Sequence, residues 1–143
     1  MTGLCATERV DATGGGMAGS LLSAAGKTVW IDDESRMEAV TALSGSGPAY
    51  VFLLAEAMVD AGIKEGLPPE AARPLALQTV FGAARMLIES DVDATELRRR
   101  VTSPNGTTQA AIETFEAGGF RALAAHAIHA ARVRGQELST AND

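Results

Sequence analysis

The amino-acid sequence predicts a mainly α-helical protein: a helical bundle preceded by a short strand–helix–strand segment. Apolar residues recur every three to four positions over most of the chain after residue 32, which is the period of an α-helix that buries one face. Short breaks rich in Gly, Pro, Ser and Asn separate these stretches, and such residues typically end helices or form turns. We therefore divide the chain into an N-terminal segment, residues 1–31, and a helical domain, residues 32–143.

Size and composition exclude several classes of protein. A chain of 143 residues, 46% of them hydrophobic, is long enough to bury a core as one globular unit. Its net charge of −6 argues against nucleic-acid binding, which depends on clustered Lys and Arg. The single cysteine, Cys5, excludes an intrachain disulfide. Residues 49–55 form the longest apolar run, which is too short for a membrane span, and no secretory signal is visible, so we expect a cytoplasmic protein that meets no membrane.

The N-terminal segment contains a short strand, a glycine-rich helix and a second strand at residues 27–31. Residues 14–19 satisfy the pattern G-x-G-x-x-G, and Asp32 follows at nearly the distance expected of a dinucleotide-binding loop. That fingerprint requires a buried strand directly before its first glycine, whereas residues 8–13 are polar. We therefore favour a helix over a cofactor loop. Each glycine weakens this helix by about 1 kcal/mol, so a frayed or irregular helix is expected.

The helices of the second domain follow from capping residues, breaks and apolar spacing. Asp32 and Asp33 are typical of a helix start. Met37, Val40 and Leu43 then recur on one face, and this helix is expected to end at a Ser-Gly-Ser-Gly break formed by residues 44–47. Further helices are predicted at residues 48–63, at 69–89 with Pro74 about one turn in, at about 95–101, at 106–116 and at 119–138. A polar tail that ends at Asp143 is expected to be disordered.

The helix predicted at residues 48–63 is apolar on nearly every side. Such a helix lies inside a bundle or at a subunit contact, because a surface helix has a polar face. The other helices are rich in Ala and Gly, which give each helix little apolar area of its own. We therefore expect a second subunit to cover this helix, so that the chain forms at least a dimer.

Two segments that precede predicted helices are candidates for binding a small anion. Residues 101–108 read Val-Thr-Ser-Pro-Asn-Gly-Thr-Thr, and residues 44–48 read Ser-Gly-Ser-Gly-Pro. The first N–H groups of a helix have no partner within it and lie at the positive end of its dipole. Hydroxyl groups and a flexible glycine at that place favour a seat for a carboxylate, although ordinary helix capping explains either segment by itself.

Other polar groups are better explained without chemistry. His126 and His129 lie three residues apart, but no cysteine or acidic motif accompanies them, so surface histidines are favoured over a metal site. Glu56 and Asp60 lie four residues apart on the apolar helix. They favour a polar stripe held by Lys, Arg or backbone groups over acid–base catalysis. The basic run at residues 98–100 is interpreted as a solvated face.

Four motifs, in this order and spacing, resemble the dimerisation half of the pyrroline-5-carboxylate reductase family. They are AVTALSGSGPAY at residues 39–50, GLP at 66–68, VTSPNGTT at 101–108 and EAGGFR at 116–121. The resemblance covers residues 32–138. Residues 1–31 resemble the end of the dinucleotide-binding domain that precedes this half in the family, and the rest of that domain has no match in the chain.

The resemblance implies an intertwined homodimer or higher homo-oligomer, and a role in reducing a cyclic imine carboxylate, 1-pyrroline-5-carboxylate, to L-proline with NADPH or NADH. No cofactor is expected to bind this chain alone, and the resemblance assigns no residue a certain catalytic role and none a metal. The substrate-binding residues that it implies fall in two groups. Ser103, Gly106, Thr107 and Thr108 match the loop that holds the substrate carboxylate, and Thr41, Ser44 and Ser46 match residues that line the same pocket.

One residue departs from the family pattern, which usually has Gly where this chain has Asn105. Asn tolerates a positive φ better than most residues, so we expect the loop to keep its shape. The alternative function is a non-catalytic helical dimer that keeps the fold and binds at most proline-like acids. The glycine-rich N-terminal helix favours this alternative, whereas the intact hydroxyl-bearing segments favour a retained ligand site.

Overall fold

The computed structural model describes residues 1–141 and confirms a mainly helical chain with a short strand–helix–strand segment at its N-terminus. The polar tail expected to be disordered ends in residues 142–143, which lie outside the described residues. The elements are β1 (Thr2–Leu4), α1 (Ala12–Ser23), β2 (Thr28–Trp30), a 3-10 turn (Glu34–Arg36), α2 (Met37–Val40), a π-helical turn (Thr41–Gly45), α3 (Gly47–Lys64), α4 (Pro69–Glu89), α5 (Ala94–Arg100), α6 (Thr107–Ala117) and α7 (Phe120–Thr140).

The chain divides into two compact units. The first contains Met1–Pro48 and the part of the chain from Ala124 onward, and the second contains Ala49–Leu123. The sequence predicts a domain boundary after residue 31, which does not coincide with the division between these two units. That boundary stays a prediction.

In the first unit, β1 and β2 pair in parallel, with Gly3 opposite Val29, and α1 connects them. The expectation of a frayed α1 is wrong, because the helix is regular over Ala12–Ser23. Asp11 explains its regular start: the carboxylate accepts a hydrogen bond from the N–H of Gly14 over 2.7 Å, which satisfies one of the free donors of the first turn. The glycines of the G-x-G-x-x-G pattern therefore lie inside a helix, as we favoured, and form no loop after a strand.

The break predicted at residues 44–47 is shorter than expected: the π-helical turn continues to Gly45, Ser46 is a bend and α3 begins at Gly47. The N–H of Ser46 donates to the carbonyl oxygen of Thr41 over 2.8 Å, a step of five residues that defines a π-helical turn. Pro48 offers a physical reason. Proline has no N–H, and inside an α-helix its ring clashes with the carbonyl group four residues earlier. Pro48 is the second residue of α3, so the regular α-helix begins at Gly47 and the π-helical turn ends before it.

The helices of the second unit lie close to their predicted positions. α4 has the predicted bounds, Pro69–Glu89, and includes Pro74 near its start. Two hydrogen bonds, from the N–H groups of Ala71 and Ala72 to the carbonyl of Pro68, close its first turn. The turn before it contains Gly66 at φ +99°, which glycine adopts without steric cost.

A single chain buries very few large apolar side chains. The buried hydrophobic residues among 1–141 are Leu4, Ala42, Ala55, Ala72 and Ala76. In α3, by contrast, Phe52 is 70% exposed and Leu53 is 66% exposed. Burial of large apolar side chains is the main favourable term in folding, so surfaces of this kind need cover from another molecule.

One helical segment of the described chain, Glu34–Lys64, is long and apolar enough to cross a membrane, judged by length and composition alone. The longest uninterrupted apolar run within it is residues 49–55. A soluble helix that packs against protein on all sides passes the same test. The expectation that the chain meets no membrane therefore stays a prediction.

Candidate functional site

The segment between α5 and α6 forms a tight turn in the second unit. The N–H of Gly106 donates to the carbonyl oxygen of Ser103 over 3.1 Å, which closes the turn. Pro104 holds its second position, where the fixed φ of proline is favourable, and Asn105 holds the third at φ +58°. This position calls for Gly or Asn. Asn105 therefore adopts the positive φ that we expected of it.

Gly106 is the N-cap of α6, and no side chain caps the helix there. A Cβ atom at Gly106 would lie 3.1 Å from the carbonyl oxygen of Ser103, so a larger residue would push against the backbone of the turn. The N–H groups of Thr107, Thr108 and Gln109 donate to no acceptor within residues 1–141. The start of this helix thus presents three adjacent free donors next to its positive dipole end.

Hydroxyl groups surround these donors. Ser103 and Thr107 are exposed, and Thr108 is half-buried. None of the three hydroxyls makes a hydrogen bond within the part of the chain that the structure describes. Of the four residues predicted for this group, Gly106 shapes the turn, and the other three bring unpaired hydroxyl groups to one helix start.

Two residues that the sequence analysis missed hold the turn in place. Gln109 accepts a hydrogen bond at Oε1 from the N–H of Asn105 over 2.8 Å, and its Nε2 donates to Glu113. Thr102 donates its hydroxyl to the carbonyl oxygen of Arg98 over 2.6 Å. A Gln at the third helical position often reaches back to the N-cap N–H, and here it reaches one residue further, to Asn105, so the spacing between Gly106 and Gln109 was an available signal.

The second predicted group lies in the first unit, on and directly after the π-helical turn. Thr41 and Ser44 are exposed, and Ser46 is half-buried. A helix does start here, since α3 begins at Gly47, but the N–H of Ser46 is already bonded to Thr41 and Pro48 has no N–H to offer. What remains for a ligand is the three hydroxyl groups, and π-helical turns of this kind are frequent at functional sites.

The basic run in α5 is paired, as expected of a solvated face. Arg99 and Arg100 both donate to Glu96, with shortest distances of 2.6 and 2.8 Å. Hydrogen bonds from Arg99, and then from Arg100, lower the pKa of Glu96 to about 2. Arg98 contacts Glu116. These guanidinium groups are therefore already engaged by carboxylates, and we assign them no phosphate.

The remaining candidates take no part in this geometry. His126 and His129 are exposed, and residues 1–141 contain no cluster of three or more His, Cys, Asp or Glu side chains able to hold a metal ion. Glu56 and Asp60 line a cavity of about 260 Å³ with Arg73. Neither carboxylate has a hydrogen bond or ion pair within the described chain, so the partners expected for a polar stripe are not found there.

A larger concavity of about 580 Å³ lies in the first unit between α1 and β2. Gly15 and Gly19 face the indole ring of Trp30, since a Cβ atom on either would lie 3.7–3.8 Å from it. Trp30 thus packs against the glycine face of α1. None of the predicted substrate-binding residues lines the concavity, and no Lys or Arg does so either.

Comparisons with known proteins agree with this architecture. The family model described as "Pyrroline-5-carboxylate reductase dimerisation" matches residues 34–138. A pyrroline-5-carboxylate reductase from Pseudomonas aeruginosa is 56% identical over 138 residues, which is 96% of this chain and 50% of that protein. The corresponding protein from Synechocystis is 43% identical over 96% of this chain and 51% of its own length.

Solved structures have the same fold. A pyrroline-5-carboxylate reductase from Coxiella burnetii superposes with a TM-score of 0.91 at 46% identity, covering 95% of this chain and 50% of that one. The Plasmodium falciparum pyrroline carboxylate reductase, solved with NADP bound, superposes with a TM-score of 0.81 at 32% identity, covering 93% and 53%. The chain thus spans about half the length of the relatives that it matches. It belongs to the pyrroline-5-carboxylate reductase family and contains that family's dimerisation domain.

Proposed function

We propose that this chain is the dimerisation and substrate-binding half of a pyrroline-5-carboxylate reductase, and that the turn at Ser103–Thr108 holds the substrate carboxylate. One observation carries this proposal: the free N–H groups of Thr107, Thr108 and Gln109 converge at one helix start beside unpaired hydroxyls. A helix start of this kind favours an anion through both its donors and its dipole. The carboxylate of 1-pyrroline-5-carboxylate or of L-proline is such an anion.

The rigidity of the turn supports this role. Pro104 restricts φ, and Asn105 lies at φ +58° with its N–H bonded to Gln109. A ligand binds more tightly when the protein donors that it meets are already fixed in place, because less conformational entropy is lost on binding. The hydroxyls of Ser103 and Thr108 are then free to add hydrogen bonds to the carboxylate, which are stronger than those between neutral groups.

We also propose that Thr41, Ser44 and Ser46 bind substrate through their hydroxyl groups. Thr41 and Ser44 lie in one π-helical turn and Ser46 directly follows it, and the backbone bond between Thr41 and Ser46 fixes the spacing of the two outer residues. Hydroxyl groups suit a ring nitrogen that is protonated when the imine is reduced, because they both donate and accept hydrogen bonds.

A homodimer completes the proposal. The description of the matched family as a dimerisation domain supports homo-oligomerisation. The exposed side chains of Phe52 and Leu53 on α3 supply an apolar surface for a second copy. We propose an intertwined dimer covered along α3, in the cytoplasm and away from membranes and nucleic acids.

The residues of this chain do not fit a nicotinamide dinucleotide. The only glycine pattern of the required form lies inside α1, and β1 ends at Leu4, well before that helix begins. A dinucleotide phosphate needs glycines in the turn between a strand and a helix. NADPH or NADH is therefore proposed for the complete enzyme only, and no chemical step is assigned to this chain through it. The relatives reported above are named reductases, so a non-catalytic dimer is not favoured.

Ligand titration followed by NMR tests the carboxylate site. We expect L-proline to shift the amide signals of Thr107, Thr108 and Gln109 in the ¹⁵N-labelled chain. L-prolinamide, which has the same ring but no carboxylate, is the control and should leave these signals in place. No shift with L-proline, or equal shifts with both compounds, would contradict the carboxylate site.

A fusion protein tests the enzymatic role. The half of the Pseudomonas aeruginosa relative that this chain does not match, joined to this chain, should reduce 1-pyrroline-5-carboxylate with a reduced nicotinamide cofactor. The same half without this chain is the control. A fusion that is folded, dimeric and able to bind the cofactor, yet inactive, would contradict the proposed role.

A further inference from the structure

The motif Glu116-Ala117-Gly118-Gly119-Phe120-Arg121, between α6 and α7, has no role in the proposal so far. Its two charged ends form a paired contact. Arg121 donates from Nη2 to Oε1 of Glu116 over 2.8 Å and from Nε to Oε2 over 2.9 Å. Two parallel bonds of this kind fix the orientation of both side chains. The motif thus places one carboxylate at the C-terminal end of α6.

The same carboxylate also contacts α5. Nη1 of Arg98 donates to Oε1 of Glu116 over 3.0 Å, across 18 residues of sequence. These two residues lie on the two helices that flank the substrate turn, α5 before it and α6 after it. The ion pair therefore connects the far end of α6 to the end of α5 that leads into the turn.

The backbone of Arg98 also contacts the residue that directly precedes the turn. Its carbonyl oxygen accepts the hydroxyl hydrogen of Thr102 over 2.6 Å, and Thr102 directly precedes Ser103. Glu116 thus holds the side chain of Arg98, and the backbone of Arg98 holds the first residues of the turn. A change at Glu116 reaches the turn through two consecutive contacts.

The backbone of the motif keeps Arg121 within reach of Glu116. Gly119 has φ +73°, which disfavours every residue with a Cβ atom, and the N–H of Gly119 donates to the carbonyl oxygen of Glu116 over 3.0 Å. Phe115 and Phe120 pack edge to face across the link between α6 and α7, with ring centroids 5.5 Å apart.

We propose that Glu116 is a positioning residue for the carboxylate site, because it holds Arg98 and thereby fixes the turn that begins at Thr102 and Ser103. This inference rests on the proposed function of that turn. It also explains why Arg98 and Arg121 both pair with Glu116. Their guanidinium groups contact this carboxylate and not the ligand, so the N–H groups and hydroxyls at the start of α6 recognise the substrate carboxylate.

Because these side chains are partly exposed, their effect on the turn can be measured separately from the global stability of the chain. The side chain of Glu116 is 41% exposed and that of Arg98 is 38% exposed. Ion pairs with this exposure contribute little to global stability, since water and salt screen them. Loss of the pair should therefore alter the turn and leave the unfolding of the whole chain nearly unchanged.

Two variants and one control test this inference in the full chain. Glu116→Gln keeps the size of the side chain and removes its charge, and Arg98→Gln removes the α5 contact and leaves Glu116 with Arg121. Glu89→Gln is the matched control, because Glu89 pairs with Arg85 within α4 and makes no hydrogen bond or ion pair with residues 102–109 in the described chain. For each protein we would measure the melting temperature, the amide shifts and hydrogen exchange of residues 102–109, and the affinity for L-proline.

In Glu116→Gln and Arg98→Gln we expect faster amide exchange and shifted signals in residues 102–109. Affinity for L-proline should fall about three- to tenfold, the effect of one hydrogen bond, while the melting temperature follows that of Glu89→Gln. Unchanged turn signals in both variants would overturn the inference, and so would altered turn signals with unchanged affinity. If the unsubstituted chain binds no L-proline, the proposed function fails, and the turn signals alone decide whether Glu116 positions the turn.

Discussion

The N–H of Ser46 donates to the carbonyl oxygen of Thr41 over 2.8 Å, so two of the proposed substrate-binding residues are joined across one π-helical turn. Pro48 follows two residues later and has no N–H to continue an α-helical pattern. The local geometry at these hydroxyls is therefore set by the backbone. At the other group of site residues the turn is set by Gly106 and Asn105 instead.

Gly106→Ala should destabilise the chain, because the new Cβ atom would lie 3.1 Å from the carbonyl oxygen of Ser103 and Ala is a poor N-cap. We expect a loss of about 1–2 kcal/mol in the free energy of unfolding. Gly45→Ala is the control. Its Cβ atom would make an ordinary 3.5 Å contact with Thr41, and the better helix former should stabilise by up to about 1 kcal/mol. Denaturant unfolding at one protomer concentration measures both, and equal effects would contradict the geometry of the turn.

Asn105 should tolerate replacement by Gly and not by Ala. Asn105→Gly suits φ +58° and should change the free energy of unfolding by less than about 0.5 kcal/mol, whereas Asn105→Ala should cost about 1 kcal/mol. The same denaturant experiment distinguishes the two. If Ala is accepted as readily as Gly, the positive φ at this position is not maintained in solution.

These two predictions illustrate how far the sequence determines the structure. The bounds of α4 were predictable because Pro69 begins the helix and apolar residues recur at helical spacing up to Glu89. The π-helical turn was not, because Gly and Ser are typical of loops, and no composition rule indicates a hydrogen bond across five residues. The positive φ of Asn105 followed from residue type. The contact between Arg98 and Glu116 did not, since it spans 18 residues and depends on how two helices pack.

The purified chain should be a dimer at micromolar concentration. Phe52→Glu places a charge on the exposed apolar surface of α3 and should raise the dimer dissociation constant at least about tenfold, because that charge would be desolvated on assembly. Met17→Glu is the control, since Met17 is 62% exposed on α1 and outside α3. Light scattering and sedimentation give the constants. A folded monomer of the unsubstituted chain at this concentration would contradict the prediction.

The isolated chain should not oxidise NADPH or NADH in the presence of 1-pyrroline-5-carboxylate. The only glycine pattern that could hold the cofactor lies within α1, where no strand precedes it directly. Absorbance of the reduced cofactor follows the reaction. Turnover by the isolated chain that disappears in Gly16→Val would show that the α1 glycines bind the cofactor after all, and would reverse our interpretation of this helix.

Calorimetric titration of L-proline into the chain and into Thr108→Val tests the central claim most directly. Valine keeps the shape of the side chain and removes the hydroxyl beside the free N–H groups of α6, so one hydrogen bond to a charged group is lost. That bond corresponds to about 1.5–3 kcal/mol. We therefore predict a dissociation constant about ten times higher or more, with α6 and the melting temperature unchanged. Equal binding by the two proteins, or no binding by either, would mean that Ser103–Thr108 does not hold a substrate carboxylate.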